Sequence, residues 1–177
     1  MKAAVLTIST SLSRGDGEDL SGPALVDLCD AAGLETVHEV LPDDREAIAT
    51  ALRRLADDED VRFVFTTGGT GMTPDDVTPE ATLDAIEREA PGYAETIRAE
   101  SRRHTPLGIL ARGVAGIRGR TLIVNLPGNP KAIGQSWPVV EPTLRHAGET
   151  LVRGACCRPR RGPGQPRRAR PSSSRAW

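Results

Sequence analysis

The feature that most constrains this chain is the regular alternation of short apolar runs with helical patterns. Lys2 to Ser9, Glu35 to Leu41 and Val61 to Thr66 read as strands, the third short and continuously apolar, as a strand buried on both faces must be. Between them, Leu20 to Ala32 carries Leu25, Leu28 and Cys29 at helical spacing and ends at Gly33, where a left-handed cap is cheap. Asp43 to Ala56 places Ile48, Leu52 and Leu55 on one helical face, and Thr78-Pro79 opens another helix with Thr as cap and Pro at its first position. Gly113 to Val124 reads as a hairpin about Gly119. Pro130 to Val152 is helical, with Pro138 and Pro142 predicting either two helices or a kink. Repeated strand–helix–strand units predict an α/β three-layer sandwich, its sheet mostly parallel with an antiparallel element at one edge.

Composition supports one folded body and an appendage. Aromatic residues are 3% of the 177 residues and hydrophobic residues 38%, so the core must come from aliphatic side chains. No apolar run is long enough to cross a membrane, and the apolar start at Met1 to Val5 is too short for a signal peptide. From Arg153 to Trp177 there are eight arginines and no acidic residue, so residues 1–152 hold 15 basic against 24 acidic side chains, a charge of −9. The expectation is an acidic domain over 1–152 and a basic, Pro/Gly/Ser-rich disordered tail over 153–177. That tail lacks interleaved aromatics, so nucleic acid is not an expected partner. The three cysteines, Cys29 and the pair Cys156 and Cys157, form neither a disulfide framework nor a spaced metal site, which fits a reducing cytoplasm.

In a parallel sheet, ligands bind beyond the carboxyl ends of the strands. Here those ends lead into the segments after Ser9, Leu41, Thr66 and Val124. The third is Thr66-Thr67-Gly68-Gly69-Thr70-Gly71, whose glycines let successive N–H groups face one anion; the plainer reading is a tight turn. Asp75 and Asp76 follow, either to hold a cation against a bound phosphate or to form a turn before the helix. Asp43 and Asp44 have the same two readings, metal binding or helix capping. Asn125 to Lys131 supplies a rigid turn, a helix start and a cation suited to an anion, or an ordinary connection. Arg98, Arg102 and His104 read as a solvated helix face, Met72 as packing, and His38 and His146 as lacking partners.

TTGGTGMTPDDVTPEA at Thr66–Ala81, Pro91-Gly92, and NLPGNPKA at Asn125–Ala132 together resemble the Mog/MoaB family of molybdenum-cofactor biosynthesis, which shares its fold with the gephyrin G domain. The resemblance runs from about Lys2 to about Val152. It implies a domain that binds molybdopterin, with Mg2+ and ATP used to adenylylate the pterin phosphate. It assigns catalysis and Mg2+ binding to Asp43 and Asp76. It assigns substrate and nucleotide binding to Ser9, Asp19, Ser21, Gly22, Thr67, Gly68, Gly69, Thr70, Gly71, Arg112, Pro127, Gly128, Asn129 and Lys131. Asp75 stands where many members carry Arg, Ser9-Thr10-Ser11 where Ser-Asp is common, and Ala111 where Ser is common.

The resemblance implies a cytoplasmic molybdopterin adenylyltransferase, a homo-trimer or hexamer able to hand its product to a molybdenum-insertion protein. The alternatives are a MoaB-type protein that binds molybdopterin or nucleotide without turnover, and a nucleotide hydrolase of the CinA-like kind.

Overall fold

The computed structural model describes residues 1–153, without the Arg153 side chain; the tail expected beyond, with Cys156 and Cys157, lies outside the described residues. The chain runs β1 (Lys2–Ile8), α1 (Thr10–Ser13), α2 (Ser21–Ala31), β2 (Glu35–Leu41), α3 (Arg45–Asp57), β3 (Phe63–Thr67) and α4 (Thr78–Ala85). It continues through β4 (Arg88–Glu89), α5 (Pro91–His104), a 3₁₀ turn (Pro106–Leu110), β5 (Ala115–Arg118), β6 (Thr121–Leu126) and α6 (Pro130–Arg153). Six strands form one sheet in the order β2-β1-β3-β6-β5-β4. The first four are mutually parallel, while β5 and β4 run antiparallel to their neighbours at one edge. The three-layer α/β sandwich with an antiparallel edge is therefore the observed fold.

The period of two along each strand divides the core. Ala3, Val5, Phe63, Phe65, Leu122 and Val124 point to the face covered by α2, α5 and α6, where they meet Leu25, Cys29, Ile97, Ile133 and Trp137. Ala4, Leu6, Ile8, Val64 and Ile123 point the other way, onto Ile48, Leu52 and Leu55 of α3 and Ala81 and Ala85 of α4. Few aromatics suffice because they are concentrated: Phe65 stacks on Phe63 and meets Trp137 edge-on at 5.4 Å between centroids. Burial pushes the Cys29 thiol up to about 12, with Asp30 adding to the shift, so it packs as a small apolar group.

Two expectations need correction. α6 runs as one helix through Pro138 and Pro142, so the division into two helices is not met. The prolines lie four residues apart on an exposed stripe, so the carbonyls they leave unbonded face water while Ile133, Trp137, Val140 and Leu144 hold the opposite stripe in the core. Thr78 does not cap α4; it is a buried residue inside the helix, and its hydroxyl donates to Gly68 O at 2.9 Å. The hairpin forms as read, with Gly119 at φ +53° in its turn.

Candidate functional site

Because β1, β2, β3 and β6 are parallel, their carboxyl ends open onto one edge, and the four segments singled out above meet there. The loop after β3 is the centre. Gly68 and Gly69 adopt φ +98° and +62°, and neither has room for a side chain. A Cβ on Gly68 would lie 2.3 Å from Ile8 O, and one on Gly69 would lie 2.3 Å from Thr78 Oγ1. The glycines are thus demanded both by conformation and by close approach.

The two acidic segments flank this loop. Asp43 Oδ2 accepts from the Thr10 N–H at 2.7 Å and from the Thr10 hydroxyl at 2.9 Å, and the Asp43 N–H donates back to Thr10 Oγ1 at 3.0 Å. Its other oxygen is 3.3 Å from where a Gly69 Cβ would stand. Asp44 takes the capping role, accepting from the Ala47 N–H at 2.7 Å. Asp76 lies against Gly71, its Oδ2 2.9 Å from a Gly71 Cβ position and accepting from the Thr73 N–H and hydroxyl at 2.8 and 2.6 Å. Desolvation opposes its charge, but the Thr73 and Gly71 hydrogen bonds and the nearby Arg112 outweigh it and hold the Asp76 carboxyl below its ordinary pKa. Asp75 is exposed.

Arg112 is committed to the scaffold of the loop. Its Nε donates to Gly71 O at 2.6 Å, its two terminal nitrogens bond Glu80 and the Asp76 carbonyl, and its N–H donates to Thr70 O at 3.0 Å. Arg112 in turn lowers the Glu80 pKa, chiefly through that hydrogen bond.

The remaining segments close the rim. Thr67 donates to Pro127 O at 2.8 Å, tying the end of β3 to the turn after β6. Gly128 packs so tightly that a Cβ would stand 3.2 Å from Gly68 Cα. Asn129 accepts from the Ala132 N–H at 2.8 Å and so starts α6, with Lys131 exposed beside it. Asp19 Oδ1 accepts from the Ser21 and Gly22 N–H groups, and Ser21 donates to Gly128 O at 3.1 Å. Ser9 caps α1, accepting from the Leu12 N–H at 3.4 Å. Every residue predicted for the site lies on this edge.

Two hollows lie along it. A cleft of about 330 Å³ between Ile97, Leu107, Leu110 and Ala111 on one side and Gly71 and Pro127 on the other is mostly apolar. A polar notch of about 410 Å³ lies beside it, between Thr73, Asp76, Glu80 and Arg112, and Met72 lines both. Met72 is 66% exposed, so the expectation that it packs is not met.

Sequence reasoning missed the supports. Thr10, Thr73, Thr78 and Glu80 hold the carboxylates and the loop, and only Thr73 had a signal: a Thr three residues before an Asp has the spacing of a capping box, in which the acidic side chain reaches back to the Thr N–H. Arg98 is not simply solvated, since it donates to Gly113 O at 2.8 Å, and His38 has partners in Thr7 and Asp19.

Residues 4–146 match a sequence family described as a probable molybdopterin binding domain. The Drosophila melanogaster molybdenum cofactor synthesis protein cinnamon is 41% identical over 81% of this chain, which spans only 24% of that longer protein. A molybdopterin adenylyltransferase of Helicobacter pylori is 37% identical over 84% of this chain and 86% of its own length. The crystal structure of MoaB, a molybdopterin biosynthesis enzyme of Thermus thermophilus, superposes with a TM-score of 0.79 at 42% identity, covering 85% of this chain and 95% of that one. On fold, motif geometry and similarity alike, the chain belongs to the Mog/MoaB family of molybdenum-cofactor biosynthesis.

Proposed function

We infer that the protein is a molybdopterin adenylyltransferase. The observation that supports the reading is the approach of Asp43 to Gly69 and of Asp76 to Gly71 in the same loop, in a chain 37% identical over 84% of its length to an adenylyltransferase. In the proposed reaction an oxygen of the pterin phosphate bonds to the α-phosphorus of ATP. The bond from that phosphorus to the bridging oxygen breaks, and pyrophosphate leaves with the electron pair. The apolar cleft beside Ala111 is proposed to take the pterin ring, and the polar edge around Asp76 the phosphates.

Two hard carboxylate donors without a third acidic, His or Cys ligand suit Mg2+, which completes its shell with water and substrate phosphate oxygens; among the described residues no group of three or more such side chains is gathered. Asp43 and Asp76 would hold that ion, which would neutralise charge on the phosphates. The chain's own contribution is positioning: Thr10 and Thr73 fix the carboxylates, and the glycine loop offers N–H groups where negative charge develops. Asp75, in place of a cation, makes nucleotide binding more dependent on Mg2+. The proposal places the protein in the cytoplasm as a trimer or hexamer that passes adenylylated pterin to a molybdenum-insertion protein. No helix among the described residues is long and apolar enough to cross a membrane.

One feature favours a second reading, a MoaB-type binder without turnover: Ala111 brings no hydroxyl to the apolar cleft. Incubating the protein with Mg-ATP and molybdopterin separates the readings. Adenylylated pterin with released pyrophosphate supports the transferase, bound but unchanged pterin supports the binder, and ATP breakdown without pterin points to a hydrolase.

A further inference from the structure

His38 lies on the outermost strand, away from the glycine loop, yet its ring is built into the support of the site. It pairs in register with Val5, and its Nε2 reaches diagonally to Thr7 Oγ1 at 2.9 Å. The same nitrogen stands 3.3 Å from Asp19 Oδ2, with the His38 and Asp19 side chains 26% and 13% exposed. Asp19 Oδ1 is already engaged by the Ser21 and Gly22 N–H groups, and Oδ2 is buried without any hydrogen bond among the described residues. A buried carboxylate oxygen lacking a donor is costly, and a carboxylate can only accept while the Thr7 hydroxyl can do either. His38 Nε2, which shares a hydrogen bond with Thr7 Oγ1, also stands within ion-pair distance of Asp19 Oδ2.

Gly22 shows how closely this cluster is fitted. A Cβ there would lie 2.2 Å from His38 Nε2, 2.4 Å from Thr7 Oγ1 and 2.5 Å from Asp19 Oδ2. From the Ser21–Gly22 turn the contacts continue inward: Ser21 bonds Gly128 O, and Gly128 packs on Gly68. We propose that His38 is a positioning residue: by holding Asp19 it sets the Ser21–Gly22 turn, and through it the Pro127–Lys131 turn that walls the apolar cleft. It touches no substrate. The proposal rests on the transferase reading for its kinetic consequence but not for its structural one.

The test uses the full-length protein with His38→Leu, His38→Thr and His38→Gln. Leu and Thr offer Asp19 no donor that reaches it, whereas the Gln amide N–H does. In the ligand-free protein, the Ser21 and Gly22 amides should exchange with deuterium about tenfold faster or more in the Leu and Thr variants and at the wild-type rate in the Gln variant. With Mg-ATP, KM for molybdopterin should rise roughly fivefold or more in Leu and Thr, with kcat held within about twofold and Gln restoring KM. Unchanged exchange in the Thr variant overturns the proposal, as does a Gln variant as impaired as Thr; Thr decides alone if Leu does not fold. If the wild type forms no adenylylated pterin, the transferase reading fails and the exchange measurement still judges His38.

Discussion

The two acidic segments flanking the glycine loop look alike on paper and are used differently. Each is a pair of adjacent aspartates near the start of a helix, and in each one member is half-buried and the other exposed. In the first pair, Asp44 caps α3 while Asp43 is turned towards the start of α1 and held by Thr10. In the second, Asp75 is exposed, while Asp76 is gripped by Thr73 and stands close to Arg112. Adjacent identical residues thus differ in whether a threonine beside the glycine loop holds them. The pairs differ in electrostatic setting too. Asp76 has a guanidinium nearby and a lowered pKa, whereas Asp43 depends on neutral donors.

The sharpest way to break this comparison is to exchange charge for amide within the second pair. Asp76→Asn should lower adenylyl transfer roughly 100-fold or more, about 3 kcal/mol at a reacting centre, while molybdopterin binding is nearly retained. Asp75→Asn should do far less, and steady-state kinetics showing equal losses would erase the distinction. A smaller effect is expected from Thr10→Val, which removes a hydroxyl donor to Asp43 but leaves the Thr10 N–H. Turnover should fall roughly tenfold, about 1.4 kcal/mol, with the melting temperature nearly unchanged.

Asp44→Ala tests the scaffold member of the first pair. Loss of its bond to the Ala47 N–H should cost about 1 kcal/mol of stability, a drop of roughly 2–4 °C in Tm, and leave turnover as it was. The smallest effect is on acid stability. Asp76 has a folded pKa below its ordinary value, 3.8, so its stabilising contribution is complete above that value and disappears as pH falls through the folded pKa. Denaturant titrations of wild type and Asp76→Asn should therefore run parallel at neutral pH and converge below about pH 4. A constant gap down the acid limb would show that the Thr73 and Arg112 environment does not act on the charge.

Much of this was legible in the residues before any coordinates. The alternation of apolar runs with helical faces placed three of the four parallel strands, the fourth being read only as an arm of the hairpin about Gly119, and three glycines after the third strand marked the loop. The prolines of α6 misled because the rule against them assumes that the freed carbonyls are buried, and here they face water. The supports of the site were harder to read because Thr10, Thr78 and Arg112 act across distances of 10 to 41 residues in sequence, which local pattern does not reveal. Family motifs identified Arg112, but its saturation by loop carbonyls and Glu80 is a property of the folded arrangement. His38 was missed for the same reason: its partners come from a neighbouring strand and a loop.

The immobilisation of the glycine loop has a calorimetric consequence. Gly68, Thr70 and Gly71 each have their carbonyl oxygen bonded by the protein's own Thr78 or Arg112. A nucleotide or pterin arriving at this loop has little backbone left to order, so the entropic toll of folding a loop around its ligand is small. Titration calorimetry should then give a heat-capacity change that follows the apolar surface the ligand covers, without the larger value expected when a protein segment folds upon binding.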